Sequence, residues 1–332
     1  GLVGSEMCIR DRFPTAQNID AMVTEQPVAL ARIDGHALWV NSKALELAGI
    51  DQDTVSPEGG EIIKDEHGNP TGVLIDNAMD LVYGIMPKIS EEERQHYLLE
   101  GLKALAATGL TSVHDAGVSK EVIASYKKLQ VHGELPIRVY AMLDITSEGY
   151  KEVLKSGTYE TGDGMLSIRS VKISADGALG SRGAALHEDY SDHHGQKGLL
   201  LHTIPNLNKH VKEAMAAGFQ VNTHAIGDRA NTLVLDAYGK WHKDKHKVQN
   251  LNKSLRHRIE HAQVVRPDEL KRFADLNVIA SMQPTHATSD KNMAEDRLGK
   301  DRMKGAYAWQ SLKQLGVLLA GGSDFPLSLI HI

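Results

Sequence analysis

The sequence predicts an α/β protein built on a (β/α)8 TIM-like barrel, and three observations carry that prediction. From Ser90 onward one unit recurs: an amphipathic helix, a Gly or Asn stop, a short apolar strand, then a polar residue. Such alternation means parallel strands joined by crossover helices. Three apolar runs also end abruptly in metal-binding side chains: Phe219 to His224, Arg258 to His261, and Val317 to Asp324. Finally, six or seven such strands in about 240 residues fit a barrel lacking its first strand.

Each element follows in order. Ser90 with Glu93 forms a capping box, opening a helix that runs toward Thr108 and stops at Gly109. Leu110 to Val113 reads as a strand delivering His114 and Asp115. Pro136 introduces the strand Ile137 to Leu143, and Ile168 to Ile173 is the next. Asn206 is the expected cap of a helix in which Leu207, Val211 and Met215 recur every four residues before Gly218. Pro267 marks the first turn of another helix, halting near Asn277, and Val278 to Met282 follows as a strand. A last helix from Trp309 to Leu315 meets Gly316 and then the strand into Asp324.

Residues 27–86 break this rhythm, with turn-rich stretches at Ser56-Pro57-Glu58-Gly59-Gly60 and His67-Gly68-Asn69-Pro70 and a short helix near Ser42 to Ala48. They read as an insertion on the catalytic face, a lid or pocket wall, with Trp39 in its core. Residues 13–26 are then a barrel remnant and 87–326 the barrel proper. Residues 1–12 and 327–332 resemble translated adapter read-through, and tails of that kind are kept out of fold reasoning. On this reading the native part is cut at both ends.

The bulk composition excludes several classes. With 41% hydrophobic and 24% charged residues and a net charge of −6 without long single-sign runs, nothing points to nucleic acid or an anionic membrane as partner. No apolar stretch approaches the ~20 residues needed to span a bilayer. One cysteine, Cys8, excludes an intramolecular disulfide and a cysteine-based zinc knuckle. A small-molecule substrate is the expected partner. Homo-oligomerisation stays open, as does localisation, cytoplasmic or exported.

A lone histidine among 17 is an ordinary polar residue. His224 and His261 stand apart because each ends an apolar strand, where barrel enzymes gather their chemistry. His224 leads into Ala225-Ile226-Gly227-Asp228, in which Gly227 makes a tight turn and Asp228 can cap the next helix. Asp324 is framed by Gly321, Gly322 and Pro326, so a sharp turn aims its carboxylate. Imidazoles and carboxylates are ordinary ligands of zinc-like divalent metals. Lys172 lies within the apolar Val171-Lys172-Ile173, where burial of an ammonium is costly and favours the neutral amine. A neutral amine can take up carbon dioxide as a metal-bridging carbamate; the alternative is pairing with a carboxylate such as Asp176. His36, Asp176 and His286 are expected in the substrate pocket on loop position alone. The chemistry implied is metal-assisted hydrolysis, in which a bound metal acidifies its water and polarises a carbonyl.

Several longer motifs sharpen this reading. Arg32-Ile33-Asp34-Gly35-His36, Asn41-Ser42-Lys43-Ala44-Leu45, the run Val171 to Arg182, His224 to Asn231, Arg258 to Gln263, Ser281-Met282-Gln283-Pro284 and Gly322 to Pro326 together resemble the amidohydrolase superfamily. They are most similar to its YtcJ-like branch, amidohydrolase family 3, which includes N-substituted formamide deformylases. That resemblance implies a distorted barrel, a small β-sandwich (here incomplete) and one or two divalent metal ions, zinc by expectation. It also implies Lys172, His224, His261 and Asp324 as ligands, with Asp324 as general base. The family's His-x-His pair has no counterpart in the sequence, so the chain as written is expected to be inactive by itself. Ester or lactone hydrolysis, or a non-catalytic regulatory barrel, are the competing readings.

Overall fold

The structure, a computed structural model, describes residues 13–243 and 255–325. The two terminal segments expected to be foreign, 1–12 and 327–332, lie outside the described residues, as does Pro326.

Two sheets organise the chain. The first is antiparallel and comprises β1 (Ala29–Ala31), β2 (Ala37–Val40), β3 (Gly60–Lys64) and β4 (Pro70–Asp76), in the order β1-β2-β4-β3. This is the segment that interrupts the helix–strand rhythm in the sequence. Its helix spans Ser42–Ala48, where Asn41 accepts from the Ala44 N–H and Gly49 ends it in the left-handed region at φ 66°. Leu38, Val40, Leu45, Ile62 and Leu74 form a core of its own. Trp39 packs with Phe13, Val73 and Ile75 and donates from Nε1 to Thr15 O at 3.0 Å, a core role.

The second sheet runs β5 (Ser112–Val118), β6 (Arg138–Asp144), β8 (Leu166–Ser174), β9 (Gln220–Ala225), β10 (Arg258–His261), β11 (Ile279–Met282) and β12 (Leu319–Gly321), each paired in parallel with the next. A short β7 (Tyr159–Glu160) adds antiparallel to β8. These are seven strands of a TIM-like barrel with crossover helices outside. Among the described residues β5 and β12 each have one neighbour.

The capping box at Ser90 and Glu93 forms, and its helix spans Glu91–Ala107. Three local expectations need correction. β5 starts at Ser112 and runs on to Val118, so His114 and Asp115 sit mid-strand, and Leu110 and Thr111 precede it as irregular chain after the turn at Gly109. Thr203, not Asn206, caps the helix Ile204–Ala216: its extended backbone lets its hydroxyl accept from Asn206 N, with Pro205 in the first turn. Asp228 opens its helix from inside, and its Oδ1 accepts from His187 N at 3.0 Å.

Candidate metal centre

Register decides which side chains meet. His224 on β9 lies level with Ser174 on β8 and Glu260 on β10. Successive strand residues face opposite ways, so a regular β10 would turn His261 away from His224. Instead His261 and Ala262 adopt φ 75° and 41°, and the two imidazoles meet edge to face with centroids 4.5 Å apart. Left-handed non-glycine backbone of this kind costs about 1–3 kcal/mol per residue and persists where surrounding structure over-determines it. Here the fastening is visible: His261 Nδ1 lies 2.8 Å from Gln283 Oε1. Gln283 stands at the end of β11, immediately before the helix Pro284–Ser289 that carries His286.

His286 stacks on His261 at 5.5 Å, and its Nε2 is 3.4 Å from Asp324 Oδ2. Ligand atoms of His261, His286 and Asp324 all lie within 4.8 Å of one another. Asp324 sits three residues beyond β12 at φ 56°, so the expected sharp turn is present. The electrostatics suit a cation. Burial, then neighbouring positive charge, pushes the His224 and His261 imidazoles well below their ordinary range, leaving neutral lone-pair donors. Burial alone would raise Asp324, but the bond to the His286 imidazole and the positive charge around it outweigh it and hold the carboxyl well below the usual range. Neutral imidazoles beside an ionised carboxylate are a donor set a zinc-like ion fits.

The other expected residues fall as follows. His224 packs against His261, and its Nε2 is 3.4 Å from both Gly177 O and Asp176 Oδ1. Lys172 is half-buried rather than enclosed. Val171 and Ile173 are buried in the main core while the lysine takes the opposite face, level with Asn222. Asp176, expected in the pocket, has no exposed surface. Its oxygens accept from the N–H groups of Ile226 (3.0 Å), Gly227 (2.8 Å) and Ala185 (2.8 Å), so it fastens loops, and the pairing with Lys172 gives way to backbone bonds. Burial still raises its pKa to about 7.

His36 comes from the antiparallel sheet. Because β2 and β4 pair Ala37 with Ile75, His36 falls opposite Asp76, and its Nδ1 is 2.6 Å from Asp76 Oδ1. Its ring lies 4.9 Å from that of His224. Burial pushes His36 down, yet the bond to Asp76 and its charge more than compensate, and the net shift is upward. Asp76 itself is 4% exposed and held at φ 49°. Its Oδ2 seats against Gly177 and Gly183, where a Cβ on either would overlap it. Sequence reasoning missed Asp76, since nothing local marks a residue that sheet pairing brings from 40 positions away. It also missed Gln283 as a histidine partner, although that residue stands inside the Ser281-Met282-Gln283-Pro284 motif.

Known proteins resemble this chain in sequence and fold. The chain is 36% identical over 322 residues to the putative amidohydrolase YtcJ of Bacillus subtilis (strain 168), covering 95% of this chain and 58% of that protein. It is 27% identical over 282 residues to the N-substituted formamide deformylase of Arthrobacter pascens, covering 80% of this chain and 49% of that one. The crystal structure of an uncharacterized metal-dependent hydrolase from Pyrococcus furiosus superposes with a TM-score of 0.69 at 28% identity, covering 96% of this chain and 62% of that chain. The chain thus spans about half the length of the curated relatives it matches. The amidohydrolase family model matches residues 8–331, nearly the whole length, and the chain belongs to the amidohydrolase family.

Proposed function

We propose that the protein is a metal-dependent hydrolase of a carbon–nitrogen bond, of amide or formamide type, in a small-molecule substrate. The observation that carries this is the convergence of His261, His286 and Asp324 within 4.8 Å, with the neutral His261 imidazole beside an ionised carboxylate. The family and the formamide deformylase relative support the bond type.

In this reading His261, His286 and Asp324 hold a divalent ion, for which we propose zinc. His224, against His261, and Lys172, as its carbamate, are the further donors for a second ion. A metal there supplies acidification of water and polarisation of a carbonyl. Asp324 Oδ2 is the proton acceptor, and its depressed pKa keeps it ionised at neutral pH. Gln283 holds the His261 tautomer through Nδ1, freeing Nε2. His36, braced by Asp76, faces the substrate, and the antiparallel sheet behind it forms the lid.

Zinc titration of the metal-stripped chain tests the reading. One to two equivalents, on the order of a metal site's stoichiometry, should bind the parent, with a large loss of affinity in His261→Ala and Asp324→Asn. Equal, weak uptake by all three would remove the metal from the mechanism. Bond type is read separately, in a protein completed to the length of the relatives, by comparing N-formyl amines with matched esters.

A further inference from the structure

Behind the candidate ligands lies a closed polar triangle that the proposed chemistry does not use. Gln263 follows His261 by two residues and is 4% exposed. Its Nε2 donates to Asp290 Oδ2 at 3.0 Å and to the Tyr307 hydroxyl at 3.1 Å. That hydroxyl donates in turn to the same Asp290 oxygen at 2.7 Å. Each corner comes from a different segment: the loop leaving β10, the residue ending the helix that carries His286, and the segment before the helix Trp309–Gln314.

The triangle is anchored at two corners. Tyr307 N donates to Gln263 O at 2.7 Å, Val265 N donates to Gly305 O at 3.0 Å, and Val264 bridges Ala306 antiparallel. Residues 263–265 and 305–307 are therefore zipped together. Gly305 permits the approach, since a Cβ there would overlap Val265 O. Tyr307 holds φ 50°, a conformation a bulky residue adopts only under constraint. At the third corner, Ser289 Oγ donates to His286 O at 3.1 Å and to Asp290 Oδ1 at 3.3 Å. The carboxylate is thus tied to the turn of helix that presents His286.

We propose that Gln263, Asp290 and Tyr307 form a clasp that sets the spacing of His261 and His286, and through it the metal affinity of the centre. All three are positioning residues. The inference rests on the metal-centre reading above and adds the residues that tune it. Residues behind metal ligands commonly change affinity by about 10–100-fold when lost, because they fix ligand orientation before the ion arrives.

The test uses the metal-stripped chain, zinc titration by calorimetry, and the absorption spectrum of the cobalt-loaded form. Tyr307→Phe deletes one hydroxyl and keeps the ring, while Gln263→Ala removes the two donors. Each should weaken zinc binding about 10-fold or more and alter the cobalt spectrum, with the melting temperature of the metal-free chain little changed. Asp290→Asn, which keeps an acceptor, should fall between these and the parent. His261→Ala and His286→Ala are the controls. If the controls lose binding while Tyr307→Phe and Gln263→Ala bind zinc like the parent, the clasp is refuted and the metal centre stands. If affinity falls only in step with the stability of the metal-free chain, the triangle is general packing and the proposal fails. If the controls bind like the parent, the metal-centre reading falls and takes the clasp with it.

Discussion

The central strands of the barrel and its two edge strands are made to one plan yet live in different environments. All six residues of β9 and all four of β11 are buried, and β10 is buried save for Arg258, which is half-buried. On β5 only Val118 is buried, and β12 has no buried residue. A strand with neighbours on both sides and helices behind loses water from both faces, whereas an edge strand keeps it on one. The difference reaches the candidate site. His224 and His261 ride on central strands and are 3% and 8% exposed, while the Asp324 side chain, beyond edge strand β12, is 37% exposed. Two candidate ligands are preset by packing, and the third depends on a turn.

Core truncation should show this difference most. Phe219→Ala, at a fully buried position beside β9, should cost about 3–5 kcal/mol by chemical denaturation. Val113→Ala, half-buried on β5, should cost below about 1 kcal/mol. Equal losses would mean that the edge is as tightly packed as the centre. A smaller effect is expected from Asp176→Asn. An amide nitrogen turned toward backbone N–H donors cannot accept from them, so about 1–3 kcal/mol should be lost at neutral pH.

The mildest test concerns pH. His114, exposed on edge strand β5, has its Nδ1 3.0 Å from Arg258 Nη1, and loss of hydration followed by the Arg258 charge lowers its pKa to about 4. A lowered histidine pKa means the native state resists protonation. The stability this adds is complete above about 6.5 and is lost as pH falls from there through about 4. His114→Asn should therefore flatten the acid limb of the stability profile across that window, and an unchanged profile would place the titration elsewhere.

Much of this was legible because strand, stop and helix signals are local. The run Phe219 to His224 carries its burial, its glycine start and its terminal histidine within a few residues. The antiparallel sheet was visible only as a break in rhythm, since its pairings join residues tens of positions apart. The same cause hid the Asp76 partner of His36 and the Asp290–Tyr307 contact. The burial of Lys172 was overread for a different reason: an apolar sequence neighbourhood speaks for the face its neighbours occupy, not for the face it takes itself. Asp176 was legible as a special residue, but its three backbone partners come from loops that converge only in the fold.

The seating of Asp76 on Gly177 and Gly183 has a consequence for recombination. Residues 29–76 look like a cassette that could be moved between related barrels. Yet the recipient must offer two bare backbone positions at the right height, or the carboxylate is pushed out and His36 loses its brace. Cassette and scaffold are therefore inherited as a matched set. Across related sequences, an acid at position 76 should keep company with glycine at both 177 and 183, and chimaeras that separate them should fail at docking rather than at folding of either sheet.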